Sequence, residues 1–263
     1  MPFREQHITI DTGGRKQRFF YDMNAKMDEH DGKGRKRKRD GDHQGGGGPA
    51  KPSGPCWFCL SSAEVEKHLI VSVGNHAYLT LAKGGLTPDH LLICPIGHHS
   101  NQVSLDEEVT EEINKFKSSL RKMFKKQGKV PVFFERNYRQ QHLQIQVVPV
   151  LKDLASSVKS VFLENASSLE IDLNEIPSHV PLSQLAVQGQ AYFHVETPDK
   201  ETLFGRVVKN FPLQFGREVL ADPRLLDMVG RVDWKACSVS RDEEVDMTKD
   251  MRNMFTPFDF TMD

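Results

Sequence analysis

No stretch of the 263-residue sequence approaches the roughly 18 consecutive apolar residues that a membrane-crossing helix needs. The polar opening Met1–Gln6 leads into no apolar segment, so nothing reads as a secretory signal. Net charge is almost absent, with 35 Lys and Arg against 36 Asp and Glu for a formal −1. That balance excludes attraction of a polyanion by the molecule as a whole, and any nucleic-acid contact must come from local patches. Internal repeats are missing. Cysteine is scarce, at four residues: Cys56, Cys59, Cys94 and Cys237. With no export signal the compartment reads as reducing, where paired cysteines are more often metal ligands than a disulfide.

What is present is 38% hydrophobic and 27% charged residues. These are the proportions of a globular chain with some disordered length, and its size allows one large domain or two ordinary ones. Charge is graded along it. Residues 1–55 hold twelve Lys and Arg against eight Asp and Glu, and residues 240–263 hold three against seven. Residues 1–54 read as a disordered basic linker, because the run Lys33–Arg39, four glycines (Gly45–Gly48) and three prolines can bury little apolar surface. The basic run reads either as a nuclear import signal or as a solvated charge block.

Order is expected from residue 55, with an antiparallel sheet carrying a helix over 55–165 and a smaller α+β domain over 166–263. His68–Val73 and His76–Leu81 flank a Gly74-Asn75 turn, and His90–Pro95 has strand length. Ser104 and Glu107 form a capping-box pattern before a helix with one apolar stripe: Leu105, Val109, Ile113, Phe116, Leu120 and Phe124. Val132–Arg136 and His142–Val148 read as further strands. In the second stretch, a short helix near Ser156–Asn165 precedes strands at Ala191–Glu196 and Leu203–Val208. Asp222-Pro223 reads as a helix start, and Ser240 with Glu243 as another capping box, ahead of a face of Val245, Thr248, Met251 and Phe255. Phe258–Phe260 is a last strand or a docked tail.

The sharpest chemical feature is Cys56-Trp57-Phe58-Cys59. A C-x-x-C pair sets two thiolates on one tight turn, which suits tetrahedral zinc. A thioredoxin-type redox motif would follow a strand and open a helix, whereas a Gly/Pro-rich segment precedes this one. Without a second C-x-x-C, the remaining ligands are expected to be histidines. His98 and His142 are well placed, and His99 rivals its neighbour His98. In His142-Leu143-Gln144-Ile145-Gln146-Val147-Val148, strand alternation puts His142, Gln144 and Gln146 on one polar face at steps of roughly 6–7 Å.

That segment resembles the histidine-triad signature, His-φ-His-φ-His-φ-φ, of nucleotide hydrolases and transferases. Asp89–His98 resembles the strand and loop ahead of the helix in the same fold, and Cys56-x-x-Cys59 resembles its zinc-binding branch. The resemblance implies a structural zinc held by Cys56, Cys59, His98 and His142. It puts Gln144 at the position of the family nucleophile and Gln146 at the third triad position, as in the uridylyltransferase branch. An imidazole nitrogen with a free lone pair can attack phosphorus, but an amide nitrogen, conjugated with its carbonyl, cannot. Gln144 can still donate and accept hydrogen bonds, so nucleotide binding without triad chemistry is expected, and no catalytic residue is assigned.

A wider resemblance rests on GPCWFC, HLLICPIGHH, FFERNY, HLQIQVVPV, YFHVE, NFPLQFGREVLA and the final FDFT, in that order. Together they are similar to the C-terminal half of the Cwf19-like (CwfJ) family, over roughly residues 50–263. The resemblance implies a nuclear splicing factor of the late intron-lariat spliceosome, linked to lariat debranching. Its implied partners are intron-lariat or spliceosomal RNA, spliceosomal proteins and the lariat debranching enzyme, with no membrane. Family members often carry an N-terminal phosphoesterase-like domain, so this sequence also reads as a piece or short form of something longer. Arg136, Asn137 and Arg139, just before the polar strand, are candidate phosphate contacts. Phe211–Glu218 reads as a shaped loop broken by Pro212 and Gly216; its residues alone read as core aromatics with Arg217 paired to a carboxylate, whereas the resemblance makes Gln214 and Arg217 candidate RNA contacts. Two rival functions remain: a nucleotide phosphohydrolase or transferase using His90 or His99, and a protein-interaction module that recruits a debranching nuclease.

Overall fold

The structure, a computed structural model, describes residues 56–262 except 139–140, 178–179, 187–188 and 209–210. It also describes two short strands, Ile10–Asp11 (β1) and Lys16–Gln17 (β2), paired antiparallel. The basic run Lys33–Arg39, Arg139 and the rest of the expected linker lie outside the described residues.

Eight antiparallel strands form one sheet. They are β3 (Ile70–Val73), β4 (Ala77–Leu81), β5 (Leu91–Pro95), β6 (Lys129–Asn137), β7 (Ile145–Leu151), β8 (Leu173–Ile176), β9 (Tyr192–Glu196) and β10 (Thr202–Arg206). Their order is β3-β4-β5-β7-β6-β9-β10-β8. The fold is α+β as expected. The strands after residue 166 extend the sheet of the first stretch rather than building another: β9 lies along β6 with Phe133 opposite Glu196 and Asn137 opposite Tyr192.

Strand alternation divides the core in two. Leu79, Leu91, Ile93, Phe133, Ile145 and Val147 face the helices α1 (Glu107–Lys126) and α5 (Arg241–Phe255). Val132, Phe134, Val148, Val150, Phe193 and Val195 face α2 (Ser157–Ser168) and, beyond a single turn α3 (Leu182–Leu185), the short helix α4 (Phe215–Leu220). The stripe read for α1 is the buried one, from Val109 to Phe124. Among the described residues, no helix is long and apolar enough to cross a membrane.

Local differences have local causes. No capping box forms at Ser104, because its N–H is taken by the Asn101 side chain at 3.0 Å and its hydroxyl by the Asn101 carbonyl at 2.9 Å. The helix starts instead after Asp106, whose side chain caps nothing. No helix begins at Asp222: its carbonyl accepts from both Leu225 and Asp227, and Asp227, with φ 51°, closes a turn. Ser240 and Glu243 do form their capping box. The buried face of α5 is Glu244, Thr248, Met251 and Phe255, with Val245 turned outward. The chain end is a docked tail, in which Phe260 packs edge-on against Phe116 with ring centroids 4.8 Å apart and Ser72 donates to Asp259 at 2.9 Å.

The β3–β4 hairpin is fastened by a charge. Buried Glu112 on α1 accepts from the backbone N–H groups of Asn75, His76 and Ala77 at 2.6–2.9 Å. A Cβ on Gly74 would lie 2.6 Å from that carboxylate, which explains why the turn carries glycine there.

Candidate functional site

The first centre lies where the loop before β3, the loop after β5 and the approach to β7 meet. Cys56, Cys59, His98 and His142 bring one ligand atom each to within 4.8 Å of one another. The Nδ1 of His142 is 3.6 Å from the Cys56 sulfur and 3.5 Å from the Cys59 sulfur, and the Nδ1 of His98 is 3.2 Å from the Cys59 sulfur. Tetrahedral zinc with ordinary Zn–S and Zn–N bonds needs ligand atoms roughly 3.3–3.8 Å apart, so the four residues fit such an ion. The Nε2 of His142 donates to the Pro95 carbonyl at 2.8 Å. That bond fixes the tautomer and leaves the Nδ1 lone pair for the metal.

Burial holds His142 neutral, its pKa pushed down to about 4, and lowers His98 as well. It pushes the Cys59 thiol up to about 12, helped by the hydrogen bond and charge of Cys56. A thiol so reluctant to ionise needs a cation to become a thiolate, and binding a metal would displace its proton. His99 stands apart from the four. It is buried, with Nδ1 3.2 Å from the Ser104 carbonyl and its own carbonyl accepting from Leu143 at 2.6 Å.

The glutamines adjoin this centre. His142 and Gln144 precede β7 as irregular chain, and only Gln146 lies on the strand. The expected open polar face is covered: Gln144 is 5% and Gln146 9% exposed. Gln146 sits between Leu92 of β5 and Phe134 of β6. Its Oε1 accepts from the Nε2 of His90 at 2.8 Å, and the Nδ1 of His90 accepts from the Leu86 N–H at 3.0 Å. Burial, reinforced by the nearby Arg217 guanidinium, pushes the His90 pKa down to about 3. Gln144 Nε2 lies 3.5 Å from the His142 carbonyl, while its Oε1 is buried with no hydrogen-bond partner among the described residues.

The model for a protein similar to CwfJ C-terminal matches residues 49–163, and the model for a protein similar to CwfJ C-terminus 2 matches residues 167–261. The chain belongs to the Cwf19-like (CwfJ) family. It is 52% identical to mouse CWF19-like protein 1 over 217 residues, covering 82% of this chain and 40% of the mouse protein. Against human CWF19-like protein 1 the identity is 47% over 254 residues, covering 93% and 46% respectively. The Caenorhabditis elegans CWF19-like protein 1 homolog is 46% identical over 232 residues, covering 88% and 43%. The chain therefore spans less than half the length of these relatives.

Within this CwfJ pair of units, the residues expected to meet RNA separate by what already holds them. Arg217 is 4% exposed, and its guanidinium donates to the carbonyls of Val232, Gly84 and Arg231 at 2.8–3.0 Å. It staples the loop between β4 and β5 to the second unit. Arg231 repeats the clasp on Leu86 and Gly85. Asn137 donates to the Gln190 carbonyl at 2.9 Å. Arg136 is half-buried at the end of β6. Gln214 occupies the N-cap position of α4 without a side-chain capping bond, and its Oε1 is buried with no hydrogen-bond partner among the described residues.

Sequence reasoning named His90 only as a rival nucleophile. Its place heading a short apolar strand was the available signal for a buried, bonded histidine. Thr87, whose buried hydroxyl also has no partner among the described residues, carried no signal.

Proposed function

We propose that this chain is the RNA-binding, non-catalytic part of a nuclear splicing factor. On this reading it acts on the late intron-lariat spliceosome, where it engages lariat or spliceosomal RNA and supports debranching. A histidine-triad-like first unit is held together by structural zinc on Cys56, Cys59, His98 and His142. The observation that carries the reading is Gln144 beside that cluster, an amide at the position where a triad enzyme needs an imidazole. Substitute nucleophiles are poorly disposed. Both ring nitrogens of His90 are hydrogen-bonded and its burial is complete. His99 is buried, with one nitrogen facing a carbonyl. Four protein ligands also leave a zinc ion no open position for water, which supports a structural rather than a hydrolytic metal.

The test has three readings on the purified chain. Metal analysis should find one zinc, lost together with folding in Cys59→Ala. Incubation with dinucleoside polyphosphates and nucleoside phosphoramidates should give no turnover, and turnover abolished by His90→Asn would overturn the non-catalytic reading. Crosslinking to lariat RNA should map near Arg136 or Gln144. No crosslink at all would replace RNA binding with recruitment of a debranching nuclease through protein contacts alone.

A further inference from the structure

The segment that presents the two thiols, residues 56–66, forms no helix or strand. A side chain of the sheet ties it down. Tyr78 on β4 is 1% exposed, and its hydroxyl donates to the Phe58 carbonyl at 2.8 Å. Phe58 stands between the two cysteines, immediately before Cys59. Its ring lies against the His142 ring, with centroids 6.0 Å apart. Phe58 and Leu60 also pack on a small buried cluster of Tyr78, Leu92 and Cys94.

The register of the β4–β5 ladder gives this bond its weight. Tyr78 is opposite Cys94, and Ala77 is opposite Pro95. The Pro95 carbonyl accepts from His142 Nε2 at 2.8 Å. Two adjacent rungs of one ladder therefore support both halves of the four-residue cluster, the Tyr78 hydroxyl for the thiol turn and the Pro95 carbonyl for the histidine. A turn that drifted would carry both sulfurs away from His142 Nδ1, which lies 3.6 Å from Cys56 and 3.5 Å from Cys59. Zinc tolerates ligand distances only to within about 0.2 Å.

The same strand supplies a contrast. Thr80, two residues on and on the same face of β4, donates its hydroxyl to the Leu69 carbonyl at 2.9 Å. It fastens the same incoming segment at a point well past the cysteines.

We infer that Tyr78 is a positioning residue for the cluster: through the Phe58 carbonyl, its hydroxyl sets how tightly Cys56 and Cys59 hold zinc. The inference rests on the zinc reading above and adds to it a residue that is not a ligand. Ligands held in place before the ion arrives bind it more tightly, because less ordering is left to binding.

The test uses the 263-residue chain. Zinc affinity is measured by competition with a chromophoric chelator for the parent, Tyr78→Phe and Thr80→Val, and the urea midpoint of each zinc-loaded protein is recorded beside it. Tyr78→Phe keeps the ring and all four ligand atoms. Its zinc affinity should fall by about 10–100-fold, the usual worth of a group that orients metal ligands. Thr80→Val should keep the parent's zinc affinity even where its midpoint falls as far. Unchanged affinity in Tyr78→Phe, with one zinc in the parent, overturns the inference and leaves the zinc reading standing. An equal loss in Thr80→Val also overturns it, because general loosening of the segment would explain both. A Tyr78→Phe chain that stays unfolded at saturating zinc makes the hydroxyl a prop of the fold and overturns it too. A parent that binds no zinc sinks the zinc reading and this inference together.

Discussion

The guanidinium of Arg217, on the short helix α4, donates to the carbonyl of Gly84 at 3.0 Å, across 133 residues of sequence. Gly84 has φ 59°, and a Cβ there would run into the Trp234 backbone. The β4–β5 loop is thus pressed against the second unit at one point and hydrogen-bonded to it at several. That same loop supplies the Leu86 N–H that orients His90. Arg217→Ala strands the buried Gly84 carbonyl and two part-buried ones, and about 3 kcal/mol of stability should be lost. Arg217→Lys, with a point charge in place of a fork, should recover only part of it. Urea unfolding midpoints measure both, and a neutral Arg217→Ala would refute the staple.

Glu112 offers a second stability test. Its single carboxylate closes three N–H groups of the β3–β4 turn. Glu112→Ala should cost about 3 kcal/mol, seen as a fall of about 6–12 °C in Tm. Gly74→Ala drives a methyl into the same carboxylate and should destabilise in the same direction. Combining the two changes should cost less than their sum, because they damage one contact.

The adjacent residues His98 and His99 should respond differently to a metal. His98→Ala removes a ligand atom lying 3.2 Å from the Cys59 sulfur, and bound zinc should be lost. His99→Ala removes a side chain outside the cluster, and the full metal complement should remain. Metal content by mass spectrometry decides it; retention by His98→Ala and loss by His99→Ala would reverse the assignment.

Acid should weaken the fold through buried imidazoles. Burial sets His90 at about 3 and His194 at about 4, both below the ordinary value of a histidine. The unfolded chain therefore binds more protons than the native one between about pH 4 and 6.5. Stability that is whole above pH 6.5 falls as the pH drops, by about 1.4 kcal/mol per unit for each group. Glu135 works the other way: burial raises it to about 7, so it contributes the opposite slope between about pH 4.5 and 7. His90→Gln should flatten the acid side of a stability-against-pH curve measured by urea unfolding. An unchanged slope would show that His90 is charged in the native state.

Much of this was legible in the sequence because it follows from spacing. The α1 stripe, the Ser240–Glu243 cap, the hairpin and the Cys56-x-x-Cys59 turn are local patterns with local causes. The cluster of Cys56, Cys59, His98 and His142, which could hold a metal, was legible through residue type and the resemblance of the motif. The surroundings of the glutamines were not. Alternation gives a side chain's face but not what lies over that face: Gln144 is buried, and Gln146 is engaged by His90, 56 residues earlier. Arg217 looked like an RNA contact for the same reason, since the carbonyls that engage it belong to Gly84, Arg231 and Val232. The helix read at Asp222 failed because its carbonyl already closes a turn.

The seam between β6 and β9 has a practical corollary. A protein severed near residue 165 would leave the first piece with the whole flank of β6 bare, from Phe133 to Asn137. Naked flanks of that sort seek another strand and drive self-association. Deletion studies that express either piece alone would then report clumping in place of lost function, and point substitutions in the intact polypeptide are the safer instrument.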